Sequence, residues 1–141
     1  MAFDDLYQEI ILDHYRHPRN AADLSEVSDE HVHENPTCGD SVKLNVNVKD
    51  GKVESVQFDG SGCAISMASA SMMTELIIGK SVEEAKSLIE RFTQIMRGDE
   101  DAAELEEYGD LAALSGVIQY PLRIKCATLA WHALDSLIDD S

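Results

Sequence analysis

Apolar residues recur along this chain with two different periods, and each change of period marks a change of element. Over residues 3–17, Phe3, Leu6, Tyr7, Ile10, Ile11 and His14 keep helical spacing while Asp4, Asp5, Glu9 and Asp13 fall mostly elsewhere. That predicts an amphipathic helix, ended by Pro18. Over residues 41–60 the pattern alternates, with Val42, Leu44, Val46 and Val48 on one face and Lys43, Asn45, Asn47 and Lys49 on the other. Asp50-Gly51 is a hairpin signal, and Val53 through Phe58 returns as a second strand. One apolar and one polar face predict an antiparallel sheet covered on one side by helices. After Gly60-Ser61-Gly62-Cys63, either a third strand begins or a tight turn enters the next helix.

The remainder reads as helical. Residues 66–78 are rich in small side chains (Ser66, Ala68, Ser69, Ala70, Ser71), which permits close approach of a neighbour. The dipole at the start of such a helix favours a thiolate placed there. Met67, Met72 and Met73 read as gap-filling core. Ser81-Val82-Glu83-Glu84 is a capping box opening a helix through Val82, Ala85, Leu88, Ile89, Phe92 and Met96, with Gly98 as its stop. The acidic stretch 99–108 reads as solvated surface, and Leu111, Ala112 and Leu114 suggest a short helix before Gly116. A last helix runs from about Pro121 to about Ile138, with Leu122, Cys126, Leu129, Ala130, Ala133 and Leu137 as its buried stripe. The expected fold is α+β: a small antiparallel sheet of about three strands, covered on one face by helices, with helices at both ends. No repeat or linker appears, so residues 1–141 are expected to form a single domain.

Composition removes several function classes. The apolar share of 44% suits a packed globule, and 27 acidic against 11 basic residues leave a formal net charge of −16. That field repels phosphate backbones and anionic lipids, which argues against nucleic acid and membrane partners. The start, Met1-Ala2-Phe3-Asp4-Asp5, lacks a basic segment followed by an apolar one, and no run approaches a membrane span. Three dispersed cysteines cannot pair completely, so a reducing cytoplasm fits better than a disulfide framework. Nucleotide-cradling glycine loops and the hydrolase nucleophile elbow are missing.

The chemistry therefore rests on the thiols. Asp40 follows Cys38 by two residues at the entrance to a strand, with Gly39 allowing a sharp bend between them. A hairpin returns Cys63 beside that entrance, and the first turns of the last helix need only cross the sheet end to bring Cys126 there. Four such ligands suit a tetrahedral zinc ion or an iron–sulfur cluster, and both hold cysteine as thiolate, the form that attacks another sulfur. His14, His17, His31, His33 and His132 are read as surface or core-edge residues rather than ligands.

Several ordered segments carry a family resemblance. Leu6-Tyr7, Ile11-Leu12-Asp13-His14-Tyr15, Pro18-Arg19-Asn20, Asn35-Pro36-Thr37-Cys38-Gly39-Asp40, Gly60-Ser61-Gly62-Cys63-Ala64-Ile65-Ser66 and Arg123-Ile124-Lys125-Cys126 together resemble the NifU N-terminal/IscU-like family over nearly the whole chain. Lys125, where scaffold-type members carry histidine, and the extra segment at roughly 98–117 resemble its SufU branch. That resemblance implies a zinc site of Cys38, Asp40, Cys63 and Cys126. It also implies a zinc-dependent sulfurtransferase role in iron–sulfur cluster biogenesis: Cys38 would accept persulfide sulfur from a SufS-type cysteine desulfurase and pass it to the SUF cluster scaffold. Arg123 matches an arginine implicated in the site and its partner contact. Two other roles stay open: a scaffold assembling a [2Fe–2S] cluster on the same four residues, and a structural zinc adaptor of the desulfurase. Read alone, Arg123 is also an ordinary surface cation and Asp40 a turn-capping carboxylate.

Overall fold

The computed structural model describes residues 5–26, 32–35 and 39–139. Helix α1 (Asp5–Arg16) is followed by strands β1 (Val32–Asn35), β2 (Asp40–Lys49) and β3 (Lys52–Ser61). Helices α2 (Ala64–Ile77) and α3 (Val82–Met96), a 3₁₀ segment (Ala102–Gln119) and helix α4 (Pro121–Asp139) complete the chain.

The hairpin forms as its alternation predicts. β2 pairs antiparallel with β3 from Ser41↔Ser61 to Lys49↔Lys52, with one irregularity between Asn47 and Val48. Asp50 and Gly51 both take positive φ (53° and 77°) in the turn, the geometry an Asp-Gly hairpin needs. Val42, Leu44, Val53, Val56 and Phe58 are buried on the covered face. Strand order is β1-β2-β3. The third strand is therefore β1, ahead of the hairpin, whereas after Cys63 the chain turns directly into α2. At Gly60 a Cβ would collide with the Ser41 carbonyl, so the two strands meet closely just before the turn.

The helices lie on the apolar face. α4 packs on β1 and β2, while α2 and α3 reach β3. Ser66, Ala68, Ser69, Ala70 and Ser71 are all buried, and this small-residue helix packs against both α1 and α4. Phe92 of α3 stacks on Trp131 of α4 at 4.3 Å between ring centroids, joining those two helices in the core. The capping box of α3 is complete, with Glu84 N–H donating to Ser81 Oγ at 3.1 Å and Ser81 N–H donating to Glu84 Oε1 at 3.3 Å. Beyond α1, Phe58 N–H donates to the Asn20 carbonyl and Ala22 N–H to the Phe58 carbonyl, laying this segment along β3.

Three expectations need correction. Leu122 does not join the buried stripe of α4: it is 69% exposed, and Trp131, Leu134, Ala127 and Ile138 fill the core instead. Pro121 and Arg123 in the same first turn are exposed as well, and burial begins at Cys126. His14 is fully buried rather than peripheral, because α2 and the 3₁₀ segment both close over it. The acidic stretch is not merely solvated surface: Glu104, Glu100 and Glu107 surround Arg91 at 2.9, 3.9 and 4.0 Å. The short helix expected near residue 111 is the second half of the 3₁₀ segment, which breaks at Tyr108 and Gly109. No helix among the described residues is long and apolar enough to cross a membrane.

Candidate metal centre

Asp40 is the first residue of β2 and is almost completely buried, where a carboxylate is stable only with partners. The hairpin register supplies one, because Ser61 pairs with Ser41 and the chain then passes Gly62 directly beside the carboxylate. Asp40 Oδ1 accepts the Cys63 N–H at 2.9 Å. Cys63 is the N-cap of α2, and its Sγ accepts the Ser66 N–H at 3.4 Å, so the sulfur faces the positive end of the helix. The same sulfur lies 3.8 Å from Asp40 Oδ2. Cys126, buried in the second turn of α4, comes from a separate helix, its thiol donating to the Leu122 carbonyl at 3.9 Å. One ligand atom from each of Asp40, Cys63 and Cys126 lies within 4.8 Å of the others.

This donor set fits a zinc ion. Zinc–sulfur and zinc–oxygen bonds in a tetrahedral site place sulfur and oxygen ligands about 3.6 Å apart. The 3.8 Å between Cys63 Sγ and Asp40 Oδ2 is close to that edge. Asp40 can serve a metal through Oδ2 while Oδ1 keeps its bond to the Cys63 amide. Two soft thiols and one hard oxygen also favour zinc or iron over magnesium or calcium.

Three of the four expected ligands thus converge from three different elements. Cys38 lies outside the described residues, tethered through Gly39 two positions before Asp40. Arg123 is exposed in the first turn of α4, one turn ahead of Cys126, and Lys125 immediately before the cysteine is exposed as well. His17 and His132 are exposed, His31 lies outside the described residues, and for His33 only the backbone is described.

A second polar cluster escaped the sequence reading. His14 Nδ1 lies 2.7 Å from Ser71 Oγ and Nε2 lies 2.9 Å from Asp110 Oδ2, while the Arg19 N–H donates to the same Ser71 hydroxyl at 2.9 Å. The order Ser–His–Asp imitates a hydrolase triad, but Ser71 is completely buried and already engaged, so no substrate reaches it. The cluster instead ties α1, α2 and the 3₁₀ segment together. Its sequence signal was a histidine lying within the apolar stripe of α1. Nearby, the hydrogen bond from Arg19 holds the Asp13 carboxyl below the usual carboxylate range, and burial pushes the Tyr108 phenol up.

The family model described as the NifU-like N terminal domain matches residues 6–127. The chain is 47% identical over 134 residues to the zinc-dependent sulfurtransferase SufU of Bacillus subtilis, covering 94% of this chain and 88% of that one. It is 43% identical over 136 residues to the iron–sulfur cluster assembly scaffold protein IscU of Streptococcus pyogenes, covering 96% and 84%. A crystal structure described as a cluster assembly scaffold for the SUF system, from Fervidobacterium islandicum, superposes with a TM-score of 0.75 at 31% identity and covers 96% of each chain.

Proposed function

The chain belongs to the NifU-like N-terminal domain family, and from that premise we propose that it serves iron–sulfur cluster biogenesis as a zinc-dependent sulfurtransferase. Residues 1–141 act as one unit in the cytoplasm, receiving sulfur from a SufS-type cysteine desulfurase on Cys38 and delivering it to the SUF cluster scaffold. The observation that carries this reading is the convergence of Asp40, Cys63 and Cys126, with ligand atoms within 4.8 Å of one another. Cys38, two positions before Asp40 in the chain, would be the fourth ligand. Bound zinc would hold the thiols as thiolates and guard them against oxidation.

The remaining chemistry belongs to the chain. The Cys38 thiolate attacks the outer sulfur of the desulfurase persulfide. A new sulfur–sulfur bond forms on Cys38, the old one breaks, and the electron pair leaves with the desulfurase cysteine as its thiolate. Arg123, at the exposed start of α4, offers a cation to the Cys38 sulfur anion by charge-assisted hydrogen bonding. Asp40 and Cys63 are held to each other by the Cys63 amide, so the ligand frame persists while Cys38 reacts.

Mass spectrometry of the zinc-loaded protein mixed with a pyridoxal-phosphate cysteine desulfurase and cysteine tests this. A sulfur adduct of about +32 Da on Cys38 that requires zinc is the expected result. No adduct, or the same adduct after chelation, overturns the metal-dependent relay. The resemblance to scaffold relatives supports a second reading, a transient [2Fe–2S] cluster on the same residues. Anaerobic reconstitution to a coloured protein that passes its cluster to an apo acceptor would favour it. A structural adaptor would still stimulate desulfurase turnover after Cys38→Ser, which a relay would not.

A further inference from the structure

The hairpin explains why Asp40 meets Cys63, but nothing in it determines where Cys126 stands. Cys126 arrives on α4, a separate helix whose buried residues are mostly apolar, and apolar packing alone is non-directional. A directional tie between α2 and α4 lies next to it. Ser69 Oγ donates to the Ala127 carbonyl at 2.5 Å, and Trp131 Nε1 donates to Ser69 Oγ at 3.0 Å. Ala127 directly follows Cys126, and Ser69 lies six residues along the helix that Cys63 caps, about 9 Å from it along the axis. Ser69 is fully buried among alanines and serines. A hydroxyl there costs free energy unless it is bonded, and here it is bonded as donor and acceptor at once.

We propose that Ser69 is a positioning residue of the metal centre, its hydroxyl setting the depth and rotation at which α4 presents Cys126 to Cys63 and Asp40. α2 acts as a ruler, with Cys63 at its start and Ser69 clamping the partner helix one residue past the second thiol. Trp131 braces the clamp from the far side and is itself stacked on Phe92. A helix sliding by about 1 Å would shift the Cys126 sulfur relative to the other two ligands by more than the about 0.5 Å that metal and catalytic sites tolerate. The inference rests on the metal reading above but not on sulfur transfer.

Cobalt(II) titration of the full chain tests it through affinity and the thiolate-to-cobalt absorption band, neither of which measures activity. Ser69→Ala is expected to weaken cobalt binding about tenfold, the size of one lost hydrogen bond, and to shift or weaken that band. Trp131→Phe removes the bracing N–H but keeps the bond from Ser69 to Ala127, so it should lower stability and leave the band in place. Ser69→Thr keeps the hydroxyl and should retain the parent spectrum. A parent-like spectrum and affinity in Ser69→Ala overturns the proposal, as does an equal change in Trp131→Phe, which would mean general loosening of the core. Failure of the parent to bind cobalt overturns this inference together with the metal reading. Cobalt binding without sulfur uptake on Cys38 overturns the relay alone and leaves Ser69 to be judged on the spectra.

Discussion

Gly62→Ala tests the close approach on which the candidate metal centre is built. A Cβ at Gly62 would stand 2.8 Å from Asp40 Cγ and 3.0 Å from its Cβ, and nearer still to Oδ1, against 3.4–4 Å for ordinary contact. Backbone lies on one side and the buried carboxylate on the other, so the carboxylate must move by about 1 Å. That movement breaks its bond to the Cys63 N–H, now 2.9 Å. Losing a buried hydrogen bond to a charged acceptor costs about 1.5–3 kcal/mol, and overpacking adds about 1–3 kcal/mol, so a total loss of about 2.5–6 kcal/mol is expected. Urea unfolding of the metal-free protein measures this without any contribution from a bound ion. The decisive form is a double-mutant cycle with Asp40→Ala, which removes the carboxylate and leaves only the milder Cβ contact at 3.0 Å. In that background Gly62→Ala should cost less than about 1 kcal/mol. A cost of the same size in both backgrounds would refute the collision, and a negligible cost in the parent would refute the close approach itself.

Other perturbations test the frame around the site. His14→Ala leaves a void beside Ser71 and Asp110 and should lower unfolding stability by about 2–4 kcal/mol, measured in urea; an unchanged midpoint would dismiss the cluster as a tie between α1, α2 and the 3₁₀ segment. Arg91→Gln removes the cation shared by Glu104, Glu100 and Glu107, so amide exchange within 102–108 should accelerate more than in α4. The same change removes an influence that lowers the Tyr108 phenol pKa, which should therefore rise further in an NMR titration. Hydrogen bonding from Ser81 holds the Glu84 carboxyl below its ordinary 4.5, so its contribution to stability is full above that value and fades as pH falls through the lowered one. Glu84→Gln should flatten that part of the pH–stability curve.

Much of the molecule was legible because its signals are local. Alternation from Val42 to Val48 and the Asp50-Gly51 turn specify a hairpin and its register, and that register carries Cys63 back to Asp40. The capping box at Ser81 and the proline opening α4 are likewise written in adjacent residues. The meeting of Asp40 with Cys63 was readable for the same reason, since the two sit at the two ends of one hairpin. β1 was not readable: Val-His-Glu-Asn carries no alternation, and only pairing with residues 40–43 makes it a strand.

His14 and Leu122 show the boundary from opposite sides. Periodicity assigns a residue to a face of its own helix, but burial depends on what covers that face. His14 is covered by groups 57 and 96 positions away in the chain, whereas among the described residues Leu122 in the first turn of α4 stays exposed. The placement of Cys126 belongs to the same category. Its presence on a helix was evident from sequence, but its distance from Cys63 is decided by how closely α2 and α4 pack and where Ser69 meets Ala127. The sequence alone determined which groups could bind a metal, because chemistry and local turns are properties of neighbouring residues. Only tertiary structure decided that they meet, because a separation of a few ångströms between distant segments is set by the packing of everything between them.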